Sequence, residues 1–153
     1  MPFHFPLQRL LRYQKGREKE AQERLFALQR LAQQKEEGLK SLRYAYEEVL
    51  ESYVSYQGER LDLQSLKVTD HYRAYLDQEI EKNLRELQQT KRRVSNQQKE
   101  TLRRWQNRKV LENLRLRAKQ RYTQEEKVKE QKLSDELALK KFTRVSNRAE
   151  PER

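Results

Sequence analysis

The sequence predicts an all-α protein, two long helices forming an antiparallel coiled-coil hairpin. Composition comes first: of 153 residues only 34% are hydrophobic and 39% are Asp, Glu, Lys or Arg, against roughly 45–50% and 25% in an ordinary globular domain. That excludes a thick layered core. Turn formers are also scarce, with three Gly and three Pro. Finally, alternate steps of four and three from Leu7 to Tyr56 meet apolar or aromatic residues at twelve of fifteen positions, the seam of a coiled coil.

Helix one is expected over about residues 6–57, with Pro6 in its first turn and Gly58 just past its end, positions that suit each residue's backbone. Its seam runs Leu7, Leu11, Gln14, Glu18, Ala21, Leu25, Leu28, Ala32, Lys35, Leu39, Leu42, Tyr46, Val49, Tyr53 and Tyr56. At the α-helical rise it would be roughly 75–80 Å long. Gly38 stands inside it at a cost of about 1 kcal/mol relative to Ala; it either permits a close helix approach or is tolerated.

The heptad is lost over a connector of about residues 58–69. Thr69 and Asp70 then offer an N-cap and a first-turn acid, so helix two is expected over about 70–146, with a frayed tail at 147–153. Its stripe runs from Leu76, Ile80, Leu84, Leu87 and Val94 through Leu102, Trp105, Leu111, Leu114 and Ala118 to Val128, Leu133, Leu137 and Phe142. The phase slips near Trp105, and polar residues interrupt it more often than in helix one. One short connection between two long helices implies an antiparallel pair within a single coiled-coil domain, both termini at one end. Helix two should outrun its partner by some 20 residues, leaving a stretch the monomer cannot cover.

Six of the eight tyrosines, at positions 44, 46, 53, 56, 72 and 75, gather near the connector with Leu61, Leu63 and Leu66. They fit either core filling at the hairpin tip or a docking surface.

The net charge of +11 is concentrated: residues 82–121 hold 14 Lys/Arg and 3 Asp/Glu, whereas 1–81 hold 13 and 14 and 122–153 hold 8 and 7. Arg92, Arg93, Arg103, Arg104, Arg108 and Lys109 lie in this basic stretch. Such a field attracts acidic partners. Nucleic-acid binding would draw on it through counterion release, but there is no zinc spacing, and the cations do not directly precede a clean zipper, so no specific nucleic acid is expected. A solvated helix face and an acidic protein surface are the other readings.

Catalytic chemistry finds no foothold. Cysteine is absent, which removes thiol nucleophiles and thiolate metal sites and accords with a reducing compartment. Gly16, Gly38 and Gly58 stand apart rather than clustering as a phosphate loop requires. His4 and His71 have no second ligand at metal spacing. Carboxylates on helix faces are expected to pair at i, i+4 rather than to act as acids or bases. A non-enzyme without cofactor or metal is expected. No apolar run nears the roughly 18 residues of a transmembrane segment, and the first residues lack a signal-peptide pattern; the location expected is cytoplasmic.

Two segments carry more than composition. Phe3-His4-Phe5-Pro6-Leu7-Gln8-Arg9-Leu10-Leu11 and Glu130-Gln131-Lys132-Leu133-Ser134-Asp135-Glu136-Leu137-Ala138 followed by Phe142 resemble the two ends of the FliJ family of flagellar export proteins. Glu36-Glu37-Gly38-Leu39-Lys40-Ser41-Leu42 resembles the family's first helix. The resemblance implies a coiled-coil stalk of the flagellar type III export apparatus, similar to the central stalk of rotary ATPases. Its paired ends, here Leu7, Leu11, Leu133, Leu137 and Phe142, would enter the hexameric export ATPase ring and promote its assembly. Another part would reach the membrane-embedded export gate through Leu42, Ala45, Val49 and Tyr75, and export chaperones would bind as well. The chain would then lie on the cytoplasmic side of the membrane at the flagellar base. Leu42 and Val49 also lie on the seam, so packing explains them equally. The equivalent stalk of a virulence-type secretion injectisome is the nearest alternative.

Overall fold

A computed structural model describes residues 2–55 and 62–149. Two helices make it up, α1 (Gln8–Ser55) and α2 (Leu63–Ala149), 48 and 87 residues long. They pack against each other as a helical hairpin. By spatial clustering the chain divides into two units, Gly16–Trp105 and Met1–Lys15 with Gln106–Arg153.

In the unit 16–105 the antiparallel sense is read from the partners. Ala21 on α1 meets Gln97 and Thr101 on α2, Lys35 and Glu36 meet Glu86 and Lys91, and Tyr53 meets Asp70. The partner number falls as the first rises. The seam read from the sequence of α1 is its inner face here. Glu18, Ala21, Leu39 and Val49 are buried, and Leu25, Leu28, Ala32, Lys35, Leu42, Tyr46 and Tyr53 are half-buried. Coiled-coil periodicity thus located the interface correctly on this helix.

On α2 the interface differs from expectation. Its inner face in this unit runs Leu76, Ile80, Asn83, Leu87, Thr90, Val94, Gln97, Thr101 and Arg104, all buried or half-buried, in unbroken alternate steps of four and three. The phase does not slip near Trp105: the seam continues through polar residues while Leu102 and Trp105 stand beside it, 54% and 42% exposed. Those polar residues are satisfied. Gln97 Nε2 and Thr101 Oγ1 both donate to the Ala21 carbonyl, at 3.2 and 3.3 Å, and Thr90 Oγ1 donates to the Glu86 carbonyl at 2.9 Å. Hydrogen-bonded seam residues cost little desolvation and restrict the register in which the helices pair.

The second helix also begins earlier than about residue 70. Asp62 is its cap: Oδ1 accepts the Gln64 N–H at 3.2 Å, and the Asp62 carbonyl accepts the Leu66 N–H at 3.1 Å, as an N-terminal aspartate does. Thr69, expected as the cap, lies inside the helix and donates through Oγ1 to the Ser65 carbonyl at 2.8 Å. Leu63 and Val68 are exposed; capping and local propensity extend the helix where no seam would have signalled it. The expected stop at Gly58, with Tyr56 and Leu61, lies outside the described residues.

Gly38 does not serve a close approach, since a Cβ there would meet nothing within 4 Å. The tyrosines divide. Tyr46 and Tyr53 are half-buried, and Tyr44, Tyr72 and Tyr75 are exposed. Tyr53 donates its hydroxyl to Asp70 Oδ1 at 3.3 Å; burial, and then the Asp70 charge, raise its pKa.

In the other unit the N-terminal residues fold onto α2. A turn at Pro6–Leu7 leads into α1, with the Gln8 N–H donating to the Phe5 carbonyl at 3.1 Å, so the helix starts two residues later than expected. Phe5, Leu11 and Leu111 are buried. The ring of Phe3 lies 5.6 Å from that of Tyr122, within the range of favourable aromatic pairs. The expected frayed tail begins too early, because α2 continues through Ala149.

Candidate functional site

The terminal unit carries a row of exposed apolar side chains. Beyond Glu126, every described residue of α2 is exposed, and these include Val128, Leu133, Leu137, Leu139, Phe142 and Val145. Phe142 is 72% exposed, more than any other large apolar side chain among the described residues. Exposed apolar side chains gathered along one helix suit contact with another molecule. Upstream, Phe5, Pro6 and Leu7 form an open apolar groove with Leu114 and Ala118, edged by Arg117 and Arg121.

The residues expected to contact an ATPase ring all belong to this unit. Leu7, Leu133, Leu137 and Phe142 present their side chains outward, while Leu11 is fully buried and can act only by holding the segment in place. Leu139 and Val145 are equally exposed and were not singled out from the sequence, because neither falls on the stripe traced through Leu133, Leu137 and Phe142. Their spacing of three from Phe142 on either side was the available signal.

The residues expected at an export gate belong to the unit 16–105. Val49 is 7% exposed, inside the hairpin, Leu42 and Ala45 are half-buried, and Tyr75 is exposed.

The basic stretch resolves into paired and unpaired cations. Arg104 Nε bonds Glu100 at 2.9 Å, Arg108 bonds Glu112 at 2.7 Å with Lys109 at 3.5 Å from the same carboxylate, and Lys91 reaches Glu36 on α1 at 2.8 Å. Hydrogen bonding from Arg108 holds the Glu112 carboxyl below the usual glutamate range, against the effect of burial. Hydrogen bonding and charge from Lys91 do the same for Glu36. Among the described residues, Lys82, Arg92, Arg93, Lys99 and Arg103 in one unit and Arg115, Arg117, Lys119 and Arg121 in the other are exposed cations without an ion pair. Arg104 and Arg108 are half-buried seam residues, so only part of the stretch is available to a partner. Among the described residues no group of three His, Asp or Glu is placed to hold a metal ion, and no helix is long and apolar enough to cross a membrane.

No curated protein sequence and no solved structure matches the chain significantly. A family model described as Flagellar FliJ protein matches residues 3–147, covering both ends of the hairpin and the basic stretch. The chain therefore belongs to the FliJ family, a family of coiled-coil components of flagellar protein export.

Proposed function

We propose that the chain is a non-enzymatic stalk of the flagellar type III export apparatus whose terminal unit inserts into the hexameric export ATPase. The observation that carries this reading is the row of exposed apolar side chains on α2 from Val128 to Val145, which has no partner among the described residues. Leu7, Leu133, Leu137 and Phe142 are the contact residues, extended by Leu139 and Val145. Leu11, fully buried, acts by packing rather than by contact, keeping Phe5 and Leu7 seated. The unpaired cations Arg115, Arg117, Lys119 and Arg121 attract acidic surfaces around the ring's opening. Tyr75 with Leu42 and Ala45 forms the contact toward the export gate, Val49 supporting it from within. Export chaperones are further partners, and the working location is peripheral, on the cytoplasmic side of the membrane at the flagellar base.

The test is co-purification with the export ATPase and its turnover with and without this chain. Complex formation and faster turnover are expected, both lost when Leu137 and Phe142 are replaced by Ser. No complex together with unchanged turnover would defeat the reading. DNA or RNA binding should vanish with salt, as bare charge attraction does.

A further inference from the structure

The last turns of α2, residues 137–149, carry charge of one sign. Lys140, Lys141, Arg144 and Arg148 are the only charged residues there. All four are exposed, and none is in an ion pair among the described residues. Immediately upstream the charges are mixed: Asp135 and Glu136 close the segment, Asp135 accepting from Gln131 Nε2 at 3.0 Å. Glu150 and Glu152 follow in the sequence, outside the described residues, and residues 137–153 still hold five Lys/Arg against those two acids.

Apolar and cationic residues take different sides of this segment. At 3.6 residues per turn Leu139, Phe142 and Val145 fall within about 60° of one line along the helix, with Ala138 and Ala149 beside them. All three large side chains are exposed. Lys140 and Arg144 stand opposite this strip, and Lys141 and Arg148 stand at its Val145 edge. Leu137 lies among the cations rather than on the strip. The segment is thus a basic amphipathic helix of roughly 20 Å, the pattern of a helix lying in the plane of a membrane interface with its apolar side toward the acyl chains.

The position of the cations decides between lipid and a protein groove. A groove that took Phe142 and its neighbours would leave Lys140 and Arg144 in solvent on the far side, where they add little. An anionic bilayer draws on all four. Its surface potential extends over a Debye length, roughly 8–10 Å, comparable to the width of the helix, and long Lys and Arg side chains bend their charges toward headgroups while their stems stay with the apolar side. With no acid in residues 137–149, nothing in the segment is repelled. Among the described residues no helix is apolar enough to span a bilayer, so the contact is in plane.

We propose that residues 137–149 dock α2 on an anionic lipid surface, Leu139, Phe142 and Val145 entering the interface and the four cations holding the headgroups. Part of this strip is shared with the proposed ring contact, so a chain held by the ring does not also lie on lipid. The test contains no ATPase, and its failure would leave the ring reading standing.

That test is flotation of the full chain with vesicles of phosphatidylcholine alone and of equal parts phosphatidylcholine and phosphatidylglycerol. Binding to the second kind only is expected. Leu139→Ser with Val145→Ser should weaken it by about tenfold or more, since two apolar side chains no longer leave water. Lys140→Gln with Arg144→Gln should weaken it by a similar factor, although both stand opposite the strip. Leu116→Ser, at an exposed leucine elsewhere on α2, should leave it unchanged. All these positions are exposed, and circular dichroism verifies that each variant stays folded. Binding that either double variant leaves unchanged would overturn the proposal, for it would then be bare attraction to the basic stretch or a contact that makes no use of the far cations. Equal binding to both kinds of vesicle, binding to neither, or an equal loss in Leu116→Ser would overturn it as well. So would light scattering that shows a dimer made monomeric by Leu139→Ser with Val145→Ser, for the occupant would then be a second copy.

Discussion

Replacing Leu11 by Ala tests the terminal unit most directly. Leu11 has no solvent exposure, and Phe5 and Leu111 are buried in the same unit. Leu→Ala at a buried site costs the lost transfer energy and a cavity term, about 2–5 kcal/mol. A single layer of side chains between two helices can close partly around the gap, which places the expectation at about 3 kcal/mol. For a chain of this size that corresponds to a fall in Tm of roughly 6–12 °C. The internal control is Leu10, one step round the same helix and 43% exposed, where Ala should change stability by less than about 0.5 kcal/mol. Urea and thermal unfolding followed by far-ultraviolet circular dichroism measure both. Equal losses from the two variants, or none from Leu11→Ala, would show that the seam does not turn inward at the N-terminal end, and the seating of Phe5 and Leu7 would lose its basis.

Three further outcomes follow from side-chain surroundings. Gly38→Ala should stabilise the chain by about 1 kcal/mol, because a Cβ there meets open space; a lower urea midpoint would contradict this. Gln at Arg92, Arg93 and Arg103 should leave unfolding unchanged, whereas Arg104→Gln should lower the melting temperature because it leaves Glu100 without its partner on the seam. Lys91→Met should raise the Glu36 carboxyl pKa back toward the ordinary glutamate value, as read by NMR titration. In the wild type this pair's contribution is present above the ordinary glutamate pKa and lost as pH falls through the lowered folded value; identical acid unfolding of Lys91→Met and wild type would refute it.

The interface of α1 was legible because nearly all of its seam residues are apolar or aromatic and regularly stepped. On α2 the same rule failed for a physical reason. Asn83, Thr90, Gln97, Thr101 and Arg104 occupy inner positions because hydrogen bonds satisfy them, and a trace of apolar residues alone strays to Leu102 and Trp105. The start of α2 was missed because Asp62 caps a helical segment that packs little apolar surface. At the candidate site the sequence named Leu7, Leu11, Leu133, Leu137 and Phe142 alike and could not separate Leu11, which is buried, from the other four, which are exposed. Periodicity assigns a face, whereas exposure depends on what lies opposite. The basic stretch was legible as a charge total and not as the division between paired and unpaired cations, which depends on rotamers and neighbours.

Near Ala21 a polar groove lined by Arg17, Glu20, Arg24, Gln97, Glu100 and Arg104 on one side of the hairpin and a mainly apolar groove lined by Leu25, Leu102 and Trp105 on the other give that section of the molecule a front and a back. Turning it half a revolution about its long direction does not restore the same outline or the same chemistry. Two neighbours packed against its opposite sides would therefore meet different chemistry, and no single kind of surface serves both.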